Sequence, residues 1–250
     1  MKKLALKQYD AALGFVSGTP CGSVYPLSVL KHRQSGEVYA DGGSLLLWHY
    51  CGFAFFFGRC DEAFLEQVYD EFLIAEGLPR RFVLFAEEGR AVRFFKSKQG
   101  LSFGSRFGFE LASQPPCPKA SMPDGCEVRE IDDKLFDSLD GRVTPRFSWR
   151  DKEEFAKSGA GFCIMCNGIP ASWAFSAAVS PDEVDIGVET SPQFRHRGLA
   201  SLAAEQMIEY TLAQGKRPVW ACDEGNTASR KLAESLGFCA AAQYVTVRKE

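Results

Sequence analysis

The spacing of apolar and polar positions predicts a mixed first half and a more regular second half. Residues 3–13 fit a helix, with Leu4, Ala5, Ala12 and Leu13 as its apolar contributors. Residues 44–50 (SLLLWHY) and 53–57 (FAFFF) are short apolar runs around Cys51-Gly52. Runs this short, bounded by turn residues, read as core strands rather than membrane segments. Phe64, Val68 and Phe72 recur at helical spacing, so residues 61–75 read as an amphipathic helix, stopped by Gly77 and Pro79. Residues 82–86 and 91–95 read as further strands.

Residues 113–124 (SQPPCPKASMPD) hold four prolines. Proline fixes φ and lacks a backbone donor, which suits an extended connector. A domain boundary is therefore expected there, between residues 1–115 and residues 122–250. Beyond it the pattern predicts a strand at 126–131, a helix at 132–140 opened by Asp132, and a helix at 148–158 ended by Gly159. Strands at 160–166 and 171–179 follow, joined by an Asn167-Gly168 hairpin turn. A strand at 183–189 leads to a long helix at 198–214, with Leu199, Leu202, Ala203, Met207 and Tyr210 on its buried side. A strand at 218–222, a helix at 227–236 and a strand at 239–248 complete the series.

Composition narrows the function classes. Hydrophobic residues make up 46% of the 250 and charged residues 24%, enough to bury a core and too apolar for a disordered chain. A formal net charge of -3 is a poor match for a nucleic-acid backbone. No uninterrupted apolar stretch is long enough to span a bilayer, and polar residues interrupt the opening MKKLALKQYD before any signal-peptide core forms. The nine cysteines show no zinc-ligand spacing. The single C-x-x-C, Cys163 and Cys166, reads as a pair of buried core thiols, and free thiols fit a reducing cytoplasm. No metal site is expected.

The segment most informative about chemistry is Thr190–Ala200 (TSPQFRHRGLA), between a predicted strand and the long helix. A helix start presents backbone N–H groups without internal partners and carries partial positive charge, which suits a pyrophosphate. Gly198 lets the backbone approach such an anion closely, Ala200 is small, and Arg195 and Arg197 add charge. No P-loop pattern and no G-x-G-x-x-G occurs there, which argues against the other common phosphate folds.

R-x-x-G-x-A at 195–200, between strand and helix, resembles the R/Q-x-x-G-x-G/A signature of the GNAT superfamily of N-acetyltransferases. Residues 220–238 resemble the second motif of that superfamily, N-x-x-S/A-x-x-L-x-x-x-L-G-F, through Asn226, Ser229, Leu232 and Leu236-Gly237-Phe238. Asn226 and Gly237 are also good helix-capping residues in their own right. The match is nearer still to a branch that reads D-I-E-T-x-P-x-x-R-x-x-G-L-A; here the corresponding stretch is D-I-G-V-E-T from Asp185, then Pro192, Arg195 and Gly198–Ala200. That branch carries an extra amino-terminal domain and includes an enzyme that acetylates the antibiotic zwittermicin.

The resemblance implies an α/β (α+β, mixed-sheet) architecture: a GNAT fold over 122–250 and a mixed α/β accessory domain before it. It implies acetyl-CoA as acyl donor, held by the backbone of Val188 and by Arg195, His196, Arg197, Gly198, Leu199 and Ala200, with Asn226 and Ser229 nearby. The acceptor is expected to be a small-molecule primary amine that attacks the thioester directly. Glu189 is the first candidate general base, Asp185 lies four residues earlier on the same strand face, and Asp223 is a third carboxylate near the cleft. Many GNAT enzymes place a tyrosine seven residues after the motif Asn to protonate the thiolate. Here that position is Ala233, which leaves Ser229, Tyr244 or unassisted departure. A non-catalytic acyl-CoA-binding module is the alternative. For the first half the open readings are a wall of the acceptor site, a decayed copy of the same fold, and a homodimer contact if the 53–57 run is exposed.

Overall fold

The computed structural model describes residues 1–16, 22–112 and 121–250. Most of the proline-rich connector, including Pro115, Pro116 and Pro118, lies outside the described residues. The first half runs β1 (Lys2–Lys3), α1 (Tyr9–Val16), α2 (Val24–Leu30), β2 (Gly36–Asp41), β3 (Ser44–His49), β4 (Phe53–Gly58), α3 (Glu62–Val68), β5 (Val83–Ala86), α4 (Arg90–Lys96) and β6 (Leu101–Leu111). The second runs β7 (Cys126–Glu130), α5 (Asp133–Ser138), α6 (Pro145–Ser148), α7 (Lys152–Ser158), β8 (Gly161–Cys166), β9 (Ile169–Val179), β10 (Glu183–Thr190), α8 (Leu199–Ala213), β11 (Arg217–Asp223), α9 (Thr227–Ser235) and β12 (Phe238–Lys249).

Among the described residues the strands form one mixed sheet, ordered β1-β2-β3-β4-β5-β12-β6-β11-β10-β9-β8-β7. Two neighbouring pairs are parallel, β4 with β5 and β10 with β11. The last strand of each half crosses to the other: β12 pairs with β5, and β6 lies between β12 and β11.

The apolar runs of β3 and β4 are continuous because helices cover both sheet faces. Leu45 and Leu47 of β3, with Phe53, Phe55 and Phe57 of β4, join the core under α1 and α2. Leu46 and Trp48, with Ala54, join the opposite core under α3 and α4. The 53–57 run is thus interior, with only Phe56 half-buried, and offers no exposed aromatic face for a dimer.

Several expected elements change. The first helix begins at Tyr9, after a short strand and a tight turn at Leu6–Gln8. Residues 91–95 are part of the helix α4, not a strand: Val92 and Phe95 are buried while Arg90, Arg93 and Lys96 are exposed, a helical rather than an alternating pattern. The helix expected at 148–158 breaks at Trp149, which is extended, and restarts with Asp151 as an N-cap accepting from Glu154 N. Tyr210 is exposed rather than on the packed side of α8. The Asn167-Gly168 turn is as expected, both residues having positive φ (51° and 78°).

The cysteine reading also changes. Cys163 is a buried free thiol, but Cys166 forms a disulfide with Cys126. The two sit directly opposite each other where β7 pairs antiparallel with β8, with Cα atoms 4.1 Å apart. Cysteine usage therefore no longer points to a reducing compartment. No helix among the described residues is long and apolar enough to cross a membrane.

Candidate active site

The strand-to-helix loop at 191–198 presents its backbone outward. Gly198 is the N-cap of α8 and adopts φ 76°, and a Cβ built there would meet nothing within 4 Å. The left-handed conformation and the open space both favour glycine. His196 is also left-handed, with φ 62°. Among the described residues none accepts a hydrogen bond from the amides of His196, Arg197, Gly198, Leu199 or Ala200. The Leu199 side chain is buried and anchors the helix start, while Arg195, His196 and Arg197 are exposed around it. Arg195 Nε reaches Thr190 O at 3.4 Å, and the Arg197 guanidinium lies 5.6 Å from the Phe194 ring centroid. Free amides, a helix N-terminus and flanking cations fit a diphosphate.

Next to this loop the sheet opens. β10 pairs with β11 only over Glu183–Asp185 against Arg217–Val219. From Ile186 onward β10 keeps β9 as its sole partner strand, while β11 continues alongside β6 through Asp223. The pairing of β10 with β9 slips at the same point, between Asp185 and Ile186. A register irregularity bends a strand and leaves backbone groups unpaired. The residues of β10 that point away from β9, in the stretch containing Val188, therefore turn their N–H and C=O groups toward the opening. Val188 itself packs its side chain against the core.

On the α2 side of the sheet, at the vertex of this opening, lies a cavity of about 460 Å³. Its wall combines both halves of the chain: Tyr25, Phe53, Phe55 and Phe85 from the first, Asp185 and Tyr244 from the second. Asp185 is buried and accepts a hydrogen bond from Tyr25 Oη at 2.8 Å. Burial raises its carboxyl from 3.8 to about 6, against the lowering influence of the Tyr25 hydrogen bond and the Arg106 charge. The Tyr25 hydroxyl is itself pushed well above its usual value, first by burial and then by the Asp185 charge, so it stays a donor. Two nitrogens of Arg106 are engaged, one pairing with Asp223 at 2.8 Å and another donating to Ala221 O at 3.1 Å, while its Nε is buried with no hydrogen-bond partner among the described residues.

The sequence candidates separate in space. Glu189 does not share the environment of Asp185, although both lie on one strand. Its Oε2 accepts from the backbone N–H of Val143 at 2.6 Å. Trp173, its cross-strand partner on β9, donates from Nε1 to Val143 O at 2.8 Å. Glu189 and Trp173 thus clasp both ends of one residue in the loop between α5 and α6. Asn226 caps α9, its Oδ1 accepting from Ser229 N at 3.1 Å. Ser229 Oγ accepts from the indole of Trp220 at 3.0 Å and so orients a ring on β11. Asp223 is tied to Arg106, and Ala233 is fully buried. Sequence reasoning missed Tyr25, Phe53, Phe55, Phe85 and Arg106 as site residues. A tyrosine in a short apolar helix and phenylalanines in core strands carry no motif, so no local signal marked them. Among the described residues no cluster of metal-ligating side chains occurs.

The GNAT acetyltransferase family model matches residues 25–247, nearly the whole chain and not only the part bearing the motifs. This chain belongs to the GNAT acetyltransferase family. It is 23% identical over 256 residues to YdfB of Bacillus subtilis, an uncharacterized N-acetyltransferase, covering 98% of this chain and 97% of that one. Among solved structures, a GCN5-related N-acetyltransferase-like protein from Streptococcus suis superposes with a TM-score of 0.76 at 22% identity, covering 98% of this chain and 99% of the other. A GCN5-related N-acetyltransferase from Kribbella flavida superposes with a TM-score of 0.59 at 15% identity, covering 98% and 95%. The mixed α/β fold is common to them. The chain is an acetyltransferase by family, and the match from residue 25 takes in the half that supplies Tyr25.

Proposed function

We propose that this chain transfers an acetyl group from acetyl-CoA to the primary amine of a small molecule. The observation that carries the reading is the divergence of β10 from β11, which connects the free amides at 196–200 with the cavity holding Asp185. The donor fits the loop by its charge and the opening by its narrow pantetheine arm. Arg195, His196, Arg197 and the amides of Gly198, Leu199 and Ala200 would hold the diphosphate, and Asn226 still has its side-chain NH2 to offer. Acetyl-CoA, when bound, supplies an activated thioester.

The chain's own groups do the rest. N–H groups on the open edge of β10, near Val188, are placed to meet a carbonyl oxygen as it gains charge. Asp185 accepts the proton of the incoming amine: its value of about 6 lets it be ionised at neutral pH and still take up a proton. Tyr25 holds the carboxylate in place. Glu189 then keeps the α5–α6 loop against the sheet. Ser229 and Tyr244 are the hydroxyls to test as proton donors to the thiolate.

Residues 1–115 and 122–250 act as two units with swapped last strands, related to the GNAT branch that carries an amino-terminal domain and includes the zwittermicin-acetylating enzyme. Both halves run strands, then a parallel pair bridged by a helix, then helix and strand, which supports the first half as a divergent copy of the second. In the first half the loop matching 191–198 is filled by Asp61, whose carboxylate caps α3 by accepting from Phe64 N. That loop is therefore assigned no acetyl-CoA.

The test is release of free CoA thiol from acetyl-CoA across primary amines. Thiol release that depends on an amine and falls with Asp185→Asn supports the reading. Tight acetyl-CoA binding with no release over the whole panel would instead make the chain a non-catalytic acyl-CoA-binding module.

A further inference from the structure

The acceptor cavity differs from a general amine site in how its charges are balanced. Glu183 lies at its edge but is neutralised by Arg217 at 2.6 Å and by Ser23 Oγ, which donates at 3.1 Å. Arg106 pairs with Asp223 through Nη1, and its buried Nε keeps no hydrogen-bond partner among the described residues. Glu110 reaches only the exposed rim. Among the described residues this leaves one interior carboxylate that no salt bridge joins, Asp185, which feels the Arg106 charge only at a distance and whose hydrogen-bond partner is a neutral phenol. A buried carboxylate in that position is costly unless an opposite charge joins it. The cavity therefore has a place for one ammonium and for no more.

Beside Asp185 the wall presents a cluster of rings. Phe85 lies 4.8 Å from Phe53 and 5.0 Å from Phe55, centroid to centroid, and 6.4 Å from Tyr244. Tyr25 stands 5.2 Å from Phe53 and so joins the ring wall to the carboxylate. Such a surface rewards a flat apolar body through area burial and ring–ring contact. It penalises a second ammonium or a row of hydroxyls, which would lose more water than the buried Arg106 Nε alone can replace, and a carboxylate next to the amine, which would face the like charge of Asp185.

Resting on the acetyl-transfer reading above, we infer that the acceptor is a monocationic primary amine carried on a flat aromatic body, with Phe53, Phe55 and Phe85 as its specificity-determining residues. The amine end meets Asp185 and the body lies against the rings. In the transfer, the bound ammonium first gives one proton to Asp185, which passes it on to solvent; the freed amine nitrogen then forms the new bond to the acetyl carbon, the carbon–sulfur bond breaks, the electron pair leaves with sulfur, and the second proton lost from nitrogen ends on the thiolate as CoA thiol.

The experiment compares kcat/KM for 2-phenylethylamine, spermidine, an aminoglycoside and L-phenylalanine with the full chain, beside calorimetric titration of acetyl-CoA alone. 2-Phenylethylamine should lead each of the others by about 10-fold or more, the scale on which apolar pockets discriminate. Phe85→Leu should raise its KM by about 10-fold and leave the acetyl-CoA Kd unchanged; the conservative Phe53→Leu, read in the same way, guards against one variant that folds poorly. Spermidine, the aminoglycoside or phenylalanine as the preferred acceptor would overturn the inference while leaving acetyl transfer intact. Acetyl-CoA binding without thiol release from any amine would instead overturn the transfer reading beneath it.

Discussion

Asp185→Asn should make the protein more stable and less active at the same time. The Asp185 carboxyl has an ordinary value of 3.8 and is raised to about 6 in the fold, chiefly by burial. Because the folded value lies above the unfolded one, native protein holds this proton more tightly. The associated stability is fully present below 3.8 and is lost as pH rises through about 6. The difference between the two values corresponds to about 3 kcal/mol of folding free energy forgone above that range. Asparagine resembles the protonated acid: its carbonyl can still accept from Tyr25 Oη, and it carries no charge to desolvate.

Urea unfolding of wild type and D185N reads this directly. The variant should gain about 3 kcal/mol over wild type at pH 8, and only about 0.5 kcal/mol at pH 4, where the folded carboxyl is protonated and the unfolded one is only about half ionised. Its kcat/KM should fall by about 10²- to 10⁴-fold at neutral pH, and the acidic limb that the wild type shows near pH 6 should vanish. Equal or lower stability of D185N at pH 8, or a difference independent of pH, would refute the account of Asp185 as an ionised, desolvated base.

Three further outcomes test the neighbouring assignments. Gly198→Val should weaken acetyl-CoA binding by at least about 100-fold in a calorimetric titration, because a β-branched residue disfavours φ 76° and covers the free amides; unchanged affinity would contradict the loop. Glu189→Gln should retain most turnover, since its carbonyl can still accept from Val143 N, whereas Glu189→Ala should lose the clasp and about 1–2 kcal/mol of stability; a collapse of turnover in the Gln variant with stability intact would return Glu189 to the role of base. Residues 122–250 expressed alone lack β6, which has eleven register partners on β12 and five on β11, so the fragment should aggregate or fail to bind acetyl-CoA; a soluble monomer with full affinity would show that the swapped strand is dispensable.

How far the sequence disclosed this arrangement depended on whether a feature was local. The hairpin at Asn167-Gly168, the caps at Asp132 and Asn226 and the loop glycine at 198 follow from backbone chemistry within a few residues, and each stands where it was expected. β6 was invisible because Gly104 and Gly108 interrupt its apolar pattern. Those glycines answer to a partner far along the chain: a Cβ at Gly108 would come within 2.8 Å of Tyr244 Oη, and one at Gly104 within 2.8 Å of Thr246 Oγ1. The Cys126–Cys166 disulfide joins residues 40 apart in sequence and was equally hidden.

The same contrast divides the site. The loop proposed to hold the donor is a run of consecutive amides, so a six-residue pattern can carry it. The wall of the proposed acceptor cavity is assembled from α2, β4, β5, β6, β10, β11 and β12, elements that meet where the last strand of the second half inserts beside β5. No spacing in the sequence could reveal that Tyr25 faces Asp185 across 160 positions. Residues in such a wall are constrained by volume and charge rather than by backbone geometry, and Phe53, Phe55 and Phe85 also belong to the buried core of the first half. On the proposed reading the first half is where the choice of amine is made: exchanging Phe53 or Phe85 should alter the acceptor while the loop at 196–200 goes on holding the same donor.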